Sequence, residues 1–392
     1  MPCNRCHECR ERGEKFCIYC GEYLNYPRSG CERCQECIDE GDAYCRFCGK
    51  RLTPYEGEGC EMCQQSKAMG HTYCRYCGRK LRDEENIFLT IGFWVGITVS
   101  VLLSFLVLFE YAVAIWGIPQ VLPRIGDYGS TLILVIPKII NVVSFNGVPS
   151  QIYYILLFIA VSACLALYLY KAYGPAMELG NGNKGPIKDT ALFEVSVLFC
   201  VLFIWEYVFV LILTFAGVKI DTLPERETWQ WMYELLEASV WEEIITRILL
   251  IGLPMAIVAL AWKREGKGSW KYLFGGFGFS RISLVFILFS AIIFGAGHLN
   301  SWGSWKFFTT FAFGLIAGYL FCKYGVYATI IMHFMTDYLS AESWLLGSSS
   351  SIMSTMLILM CSLACIPYTY IYLKKCVDGT RNLFKPQNKD LK

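Results

Sequence analysis

The chain has 392 residues, is 55% apolar by count with only 17% charged residues, and carries a formal net charge of +2; its mean hydropathy is +0.41. That argues against an ordinary cytosolic enzyme, in which about 25% of residues are charged. The average conceals two unlike parts: residues 1–86 hold 29 charged residues and 14 of the 20 cysteines, while the other 306 positions hold 39 charges. Both parts are near neutral, so no basic surface argues for nucleic acid, which is not expected as a partner.

The chain opens on cysteine pairs and mixed charge. A secretory signal would open on a basic start and an apolar run, so the amino terminus is expected in the cytoplasm. In a reducing compartment, regularly paired CxxC motifs point to metal rather than to disulfides. One unit occurs three times, at intervals of 28 and 29 residues. Its shared cysteines are Cys3, Cys6, Cys17 and Cys20, then Cys31, Cys34, Cys45 and Cys48, then Cys60, Cys63, Cys74 and Cys77. The third unit has Ser66 where the others have Cys9 and Cys37, so the minimal set is CxxC, ten residues, CxxCG. This is the four-thiolate arrangement of a structural zinc ribbon, although thiolate count alone leaves iron open. Gly21, Gly49 and Gly78 permit a turn through positive φ after each last cysteine. Units this small cannot fold on an apolar core, so one Zn²⁺ per ribbon, up to three in all, would supply the folding energy. Cys9, Cys37 and His7 read as spare surface residues. Closed four-cysteine sites are structural, so the ribbons at 1–28, 29–57 and 58–86 are expected to bind a protein partner.

From Ile87 apolar runs near the length of a bilayer crossing recur to the end of the chain. Spans are expected at about 87–116, 150–172, 190–216, 232–262, 282–299, 305–322, 326–346 and 352–373. The fold class is thus an all-α polytopic membrane helical bundle of about eight spans, preceded by three small zinc-ribbon modules. The stretch from Ser130 to Phe145 is apolar but broken by Pro137 and Lys138, and reads as a re-entrant or interfacial piece. Basic residues fall in alternate loops, at Lys171, Lys184 and Lys188, at Lys263 to Arg281, at Lys323, and in the tail from Lys374. This puts both termini in the cytoplasm. The membrane part divides into amino-terminal helices at 87–189, a core at 190–373 and a basic tail at 374–392.

An ionisable side chain inside a span is costly and marks a functional site or a buried pairing. Three spans concentrate them: Glu242, Glu243 and Arg247 spell EExxxR, Phe294 and His298 spell FxxxH, and His333 and Asp337 spell HxxxD. On a helix Glu243 and Arg247 lie one turn apart and can pair. Glu242, rotated about 100° away, is then free to act as a general base. His333 and Asp337 likewise share one face. Glu206, in the third span, reads as a structural hydrogen-bonder or a balance for Arg247. Gly295, Gly297, Gly314 and Gly318 read as close helix packing.

These three motifs, in this order and on separate spans, resemble the CPBP family of intramembrane proteases, which includes the CAAX prenyl endopeptidases; the likeness covers roughly residues 190–370. The resemblance implies that Glu242 activates water with help from His298. His333 and the residue one turn on would polarise the scissile carbonyl and stabilise its oxyanion. That residue is here Asp337, where the family frequently has Asn; a carboxylate donates only when protonated, so Asp337 can instead orient His333. The catalytic set is then Glu242, Glu243, Arg247, His298, His333 and Asp337. Two His and two acids could alternatively hold a metal, but the chain has no HExxH and the family resembles a metal-independent glutamate protease, so no catalytic metal is expected. Glu242 lies 21 residues before Lys263, about 31 Å at helical rise. This places it in the outer half, whereas CAAX-type processing suggests access from the cytoplasm.

The reading is an integral, multi-pass membrane endopeptidase acting on a peptide or protein substrate in the bilayer, with prenylation left open and the ribbons as recruitment modules. The alternative is a catalytically inactive membrane scaffold or immunity-type protein whose ribbons bind partners. A proton-coupled transporter is a weaker third, because the spans show no sequence duplication.

Overall fold

The computed structural model describes residues 3, 5–12, 14, 16–22, 24, 33–39, 62–69, 87–136, 138–220, 226–261, 266–346 and 348–384. Contacts divide the chain into two units, Met1–Thr90 and Ile91–Lys392. In the first, three six-residue helices begin at equivalent cysteines: α1 (Cys6–Glu11), α2 (Cys34–Asp39) and α3 (Cys63–Ala68). The repeat read from cysteine spacing thus recurs as a repeated local structure. Cys6, Cys9, Cys17, Ile18 and Leu24 form a small buried cluster. Cys9 is therefore a core residue and not a spare surface one, and Ser66 at the equivalent place is buried too. His7 is exposed and pairs with Glu11 at 3.3 Å. Of the remaining expected ligands, Cys31, Cys45, Cys48, Cys60, Cys74 and Cys77 lie outside the described residues.

The second unit is built from long helices: α4 (Ile87–Val121), the short α5 (Ile125–Tyr128), α6 (Val148–Gly180), α7 (Ala191–Phe215), α8 (Thr228–Glu243) and α9 (Leu253–Ala261). They are followed by α10 (Arg281–Gly297), α11 (Leu299–Trp302), α12 (Lys306–Tyr324), α13 (Val326–Leu346), α14 (Ser348–Ala364) and α15 (Ile366–Phe384). Each of the eight expected spans falls on a helical passage. Among the described residues, five are long and apolar enough to cross a membrane, up to six if α14 and α15, bent by 56° at their junction, form one span. The shortfall has physical causes. α10 has only 17 residues. α13 is buried along Tyr327–Met335, and a helix sheathed by protein needs no lipid-facing apolar surface.

The helical fold class holds, and the segment Ser130–Phe145, read as a re-entrant or interfacial piece, is its one β exception among the described residues. It is an antiparallel hairpin, β1 (Ser130–Ile136) and β2 (Lys138–Phe145), with a register irregularity between Leu132 and Ile133. Seven of its residues are Val or Ile, β-branched types that suit a pleated ribbon.

Helix α8 does not stop at Glu243 but passes through a π-helical turn, Ile244–Gly252, into α9, giving one run of 34 residues, Thr228–Ala261. Pro254 follows the widened turn. A proline ring collides with the carbonyl four residues back and supplies no N–H, so the ladder must open just before it. The run extends 14 residues ahead of Glu242, which places this residue near its middle and removes much of the expected displacement toward one side.

Specific contacts hold the bundle around this run. Lys323 Nζ lies 2.8 Å from Glu194 Oε1 and Tyr319 donates to Glu194 Oε2 at 3.0 Å, joining α12 to a buried acid of α7. Tyr338 of α13 donates to the Met232 carbonyl of α8 at 2.8 Å. α10 and α12 meet through small residues, as expected: a Cβ at Gly314 would stand 2.9 Å from Ala291 Cα, and one at Gly318 would stand 2.8 Å from Ile287 Cγ2. Overpacking of this kind costs about 1–3 kcal/mol. Gly314→Val should accordingly lower the unfolding temperature of the detergent-solubilised protein, whereas Gly92→Ala, with nothing within 4 Å of an added Cβ, should not; equal melting of the two variants would contradict this packing.

Candidate active site and metal cluster

In the first unit Cys3, Cys6, Cys17 and Cys20 present four Sγ atoms within 4.8 Å of one another. Three of the sulfur separations are 3.7, 3.7 and 3.4 Å. A tetrahedral ion with Zn–S bonds of about 2.3 Å requires sulfurs roughly 3.8 Å apart, so the donor set fits a thiolate-bound zinc. The chain makes the cluster locally. α1 carries Cys6, and the second pair is closed by Gly21 N–H donating to the Cys17 carbonyl at 2.9 Å, with Gly21 at φ +73°. Burial pushes the Cys6 thiol well above its ordinary value, and the neighbouring sulfurs add to the shift. A cation is what would let such a thiol ionise. Cys9 Sγ lies 3.8 Å from Cys17 Sγ, beside the four.

The membrane unit brings the three ionisable motifs together. Glu243 and Arg247 are both fully buried and pair, Nε to Oε2 at 3.0 Å. Arg247 Nη1 donates to Ser290 Oγ of α10 at 3.1 Å, and Ser290 donates to the Thr246 carbonyl at 2.5 Å. The guanidinium also lies over the Phe294 ring, 5.5 Å from its centroid. The second Glu243 oxygen faces His333 Nδ1 at 3.1 Å. The pair thereby ties the π turn to α10 through Arg247 and to α13 through Glu243. Since an ionised carboxylate only accepts, His333 Nδ1 carries a proton in this contact.

Glu242, one residue earlier, points elsewhere. Its side chain is 34% exposed and makes no ion pair with Arg247; Oε2 lies 4.0 Å from His298 Nε2 and 3.9 Å from His333 Nε2. His298 sits at the end of α10, where Nδ1 is 2.8 Å from the Phe294 carbonyl. A carbonyl only accepts, so that nitrogen is the donor and Nε2 is turned toward Glu242. Asp337 Oδ2 is 3.4 Å from His333 Nε2. All six residues expected to form the site are therefore contiguous. Glu242, His298, His333 and Asp337 line a cavity of about 490 Å³, the size of a small-ligand site.

Other residues of this cavity were not singled out by their sequence motifs. Glu206 does not balance Arg247, whose partner is Glu243; it lines the same cavity as Glu242. Glu237, Glu234 and Lys306 line it as well. Glu237 lies five residues before Glu242 on the same run, a signal available in the sequence; Lys306, at the head of a span, offered none beyond its charge. The hairpin is the largest omission. Trp241 Nε1 donates to the Ile133 carbonyl at 2.8 Å and Tyr233 donates to Ser130 Oγ at 2.7 Å, so β1 is fastened along α8 and contributes Thr131 and Ile133 to the cavity wall.

Comparison with known proteins agrees with the motifs. Residues 224–339 match the family model described as Rce1-like, type II CAAX prenyl endopeptidase. No curated protein and no solved structure matches the chain. The matched segment begins just before α8 and ends inside α13, enclosing EExxxR, FxxxH and HxxxD, and it supports the resemblance to the CPBP family over those residues.

Proposed function

We propose that this integral membrane protein is an endopeptidase of CAAX prenyl protease-like type, hydrolysing a peptide bond with water activated by Glu242. The observation that carries the reading is the spacing around Glu242 Oε2. Two imidazole nitrogens stand 4.0 and 3.9 Å away, too far for direct hydrogen bonds and suited to a water between them. His298 Nε2, free as an acceptor, orients that water while Glu242 takes its proton. The water oxygen then bonds to the scissile carbonyl carbon. His333, protonated on Nδ1 against Glu243, presents Nε2–H to the developing oxyanion, and Asp337 holds that donor in the resting site. When the C–N bond breaks, the proton held by Glu242 passes to the leaving amine. Glu243 and Arg247 do no chemistry in this scheme; they fix the helix that carries the base. The substrate class is a peptide or protein chain reaching the cavity within the bilayer, and a prenylated carboxyl-terminal peptide is the first candidate.

The domain plan extends the proposal. The helices at 87–189 and the core at 190–373 form the protease, the ribbons recruit a protein partner on the cytoplasmic side, and the basic tail at 374–392 shares that side.

A quenched-fluorescent farnesylated CaaX peptide and the detergent-purified full chain provide the test. Wild-type cleavage should fall about 10²–10⁴-fold in Glu242→Gln and His298→Ala, the range for losing a general base, with unfolding temperatures unchanged; activity retained in Glu242→Gln, or no cleavage by folded wild type, would refute the assignment. Glu243→Gln should behave differently. Leaving Arg247 charged, buried and unpaired costs about 3–5 kcal/mol, so that variant should lose stability as well as activity.

Zinc content is checked separately by elemental analysis of the full chain. It should approach three equivalents and drop by one in Cys17→Ser, and a chelator that strips this zinc should leave peptide cleavage in place.

A further inference from the structure

Peptide hydrolysis gives the basic tail no task. Residues 374–392 hold six Lys or Arg, at Lys374, Lys375, Arg381, Lys385, Lys389 and Lys392, against two acids, Asp378 and Asp390. The first part of this tail is the second half of α15. That helix departs from α14 at 56°, and the bundle holds its first turns. Tyr368 donates to the Gly92 carbonyl at 2.8 Å, Trp205 Nε1 donates to Thr369 Oγ1 at 3.1 Å, and Tyr372 packs against the core. Beyond Tyr372 every residue from Leu373 to Arg381 is exposed.

A helical extension of this length is marginal in water on its own, and Gly379 in its interior weakens it further. The sequence nevertheless carries an apolar stripe into it. At about 100° per residue Ile366, Tyr370, Leu373 and Val377 fall on one face, and Leu373 and Val377 are 62% and 50% exposed. Lys374 and Arg381 flank this face, while Lys375 stands over the Tyr372 ring, 4.9 Å from its centroid. Water satisfies the charges but not the stripe, and the hydrocarbon core satisfies the stripe but not the charges. The boundary between the two satisfies both: the apolar face enters the acyl layer and the basic flank meets the headgroups. The excess of positive charge selects among headgroups, since each basic residue close to an anionic surface adds about fivefold to the attraction.

We propose that the second half of α15, Leu373–Phe384, is a binding site for anionic phospholipid that lies along the bilayer surface, with Leu373 and Val377 inserted and Lys374 and Arg381 on the lipid phosphates. The site is separate from the catalytic cavity and does not depend on the protease reading. It makes the seating of the carboxyl-terminal helix sensitive to lipid charge.

The full chain carrying Cys376→Ser is labelled with an environment-sensitive dye at Val377→Cys, on the stripe, or at Gly379→Cys, about 200° around the helix, where an added Cβ meets nothing within 4 Å. Each is placed in nanodiscs of phosphatidylcholine, or of phosphatidylcholine with one third replaced by phosphatidylglycerol. Quenching by a water-soluble quencher is the readout, with the Cys376→Ser chain as the blank for label on other cysteines. In the phosphatidylglycerol discs the dye at Val377→Cys should be quenched at least about fivefold less than the dye at Gly379→Cys. The difference should shrink in pure phosphatidylcholine, in high salt, and on adding Lys374→Gln with Arg381→Gln, with unfolding temperatures unchanged. Lys374→Arg with Arg381→Lys should preserve it. Equal quenching at the two positions in phosphatidylglycerol, or the same shielding of Val377→Cys in both lipids, would overturn the proposal. Shielding that survives Lys374→Gln with Arg381→Gln would overturn the assignment to these two residues.

Discussion

The membrane unit depends on one buried ion pair. Glu243 and Arg247 are both without solvent contact, and two charges in that position are tolerated only when their remaining hydrogen-bonding groups are also satisfied. Here they are. Ser290 takes an Nη1 proton and His333 meets the second carboxylate oxygen, so the pair becomes a three-way joint between the π turn, α10 and α13. Those are the elements that bring EExxxR, FxxxH and HxxxD to one place. Removing either charge strands the other, and the same loss unlinks the three motifs from one another.

The joint also explains why adjacent glutamates have opposite fates. Glu243 is directed into the protein, against Arg247 one turn on, and Glu242 is rotated away from it into the cavity. The π turn begins immediately after the pair, at Ile244. Such widened turns recur at functional sites because they shift the register of a helix locally while preserving its hydrogen bonding. In this chain the widening is placed between the Glu242 end of α8 and Pro254, where the helical ladder has to open in any case.

Much of this was legible from the residues, because the underlying signals are local. The Glu243 to Arg247 pairing follows from a one-turn spacing, the His333 to Asp337 proximity from another, and the turn after Cys20 from a glycine that has to adopt positive φ. Gly314 and Gly318 announced the close approach of α10 and α12 in the same way. What the sequence concealed were features decided by tertiary contacts. The hairpin Ser130–Phe145 has the composition of a membrane segment and becomes a β-ribbon with one strand fastened to Trp241 and Tyr233 of α8. Cys9 looked like a surplus surface thiol and is a core residue of its ribbon, in a place where Ser66 is also buried. Glu206 stood out as an acid inside a span and Lys306 did not, but that they share a cavity is decided only once α7 and α12 face it.

These hidden features bear on how a polar reaction can be housed in an apolar protein. Unpaired backbone groups and charges cannot face lipid, so irregular structure at membrane depth survives only when it is enclosed by protein or lines a wet cavity. The hairpin satisfies this condition: the Trp241 indole occupies the Ile133 carbonyl and Thr131 borders the cavity. The acids obey it as well. Glu194 is answered by Lys323 and Tyr319, Glu234 by Arg226 and Tyr128, and Glu243 by Arg247 and His333. Glu242, by contrast, faces two imidazoles across a gap of about 4 Å on each side. That gap is where the proposal seats the attacking water. Under the proposed mechanism, moving a proton to this carboxylate and negative charge to a tetrahedral oxygen beside His333 would lower a hydrolytic barrier.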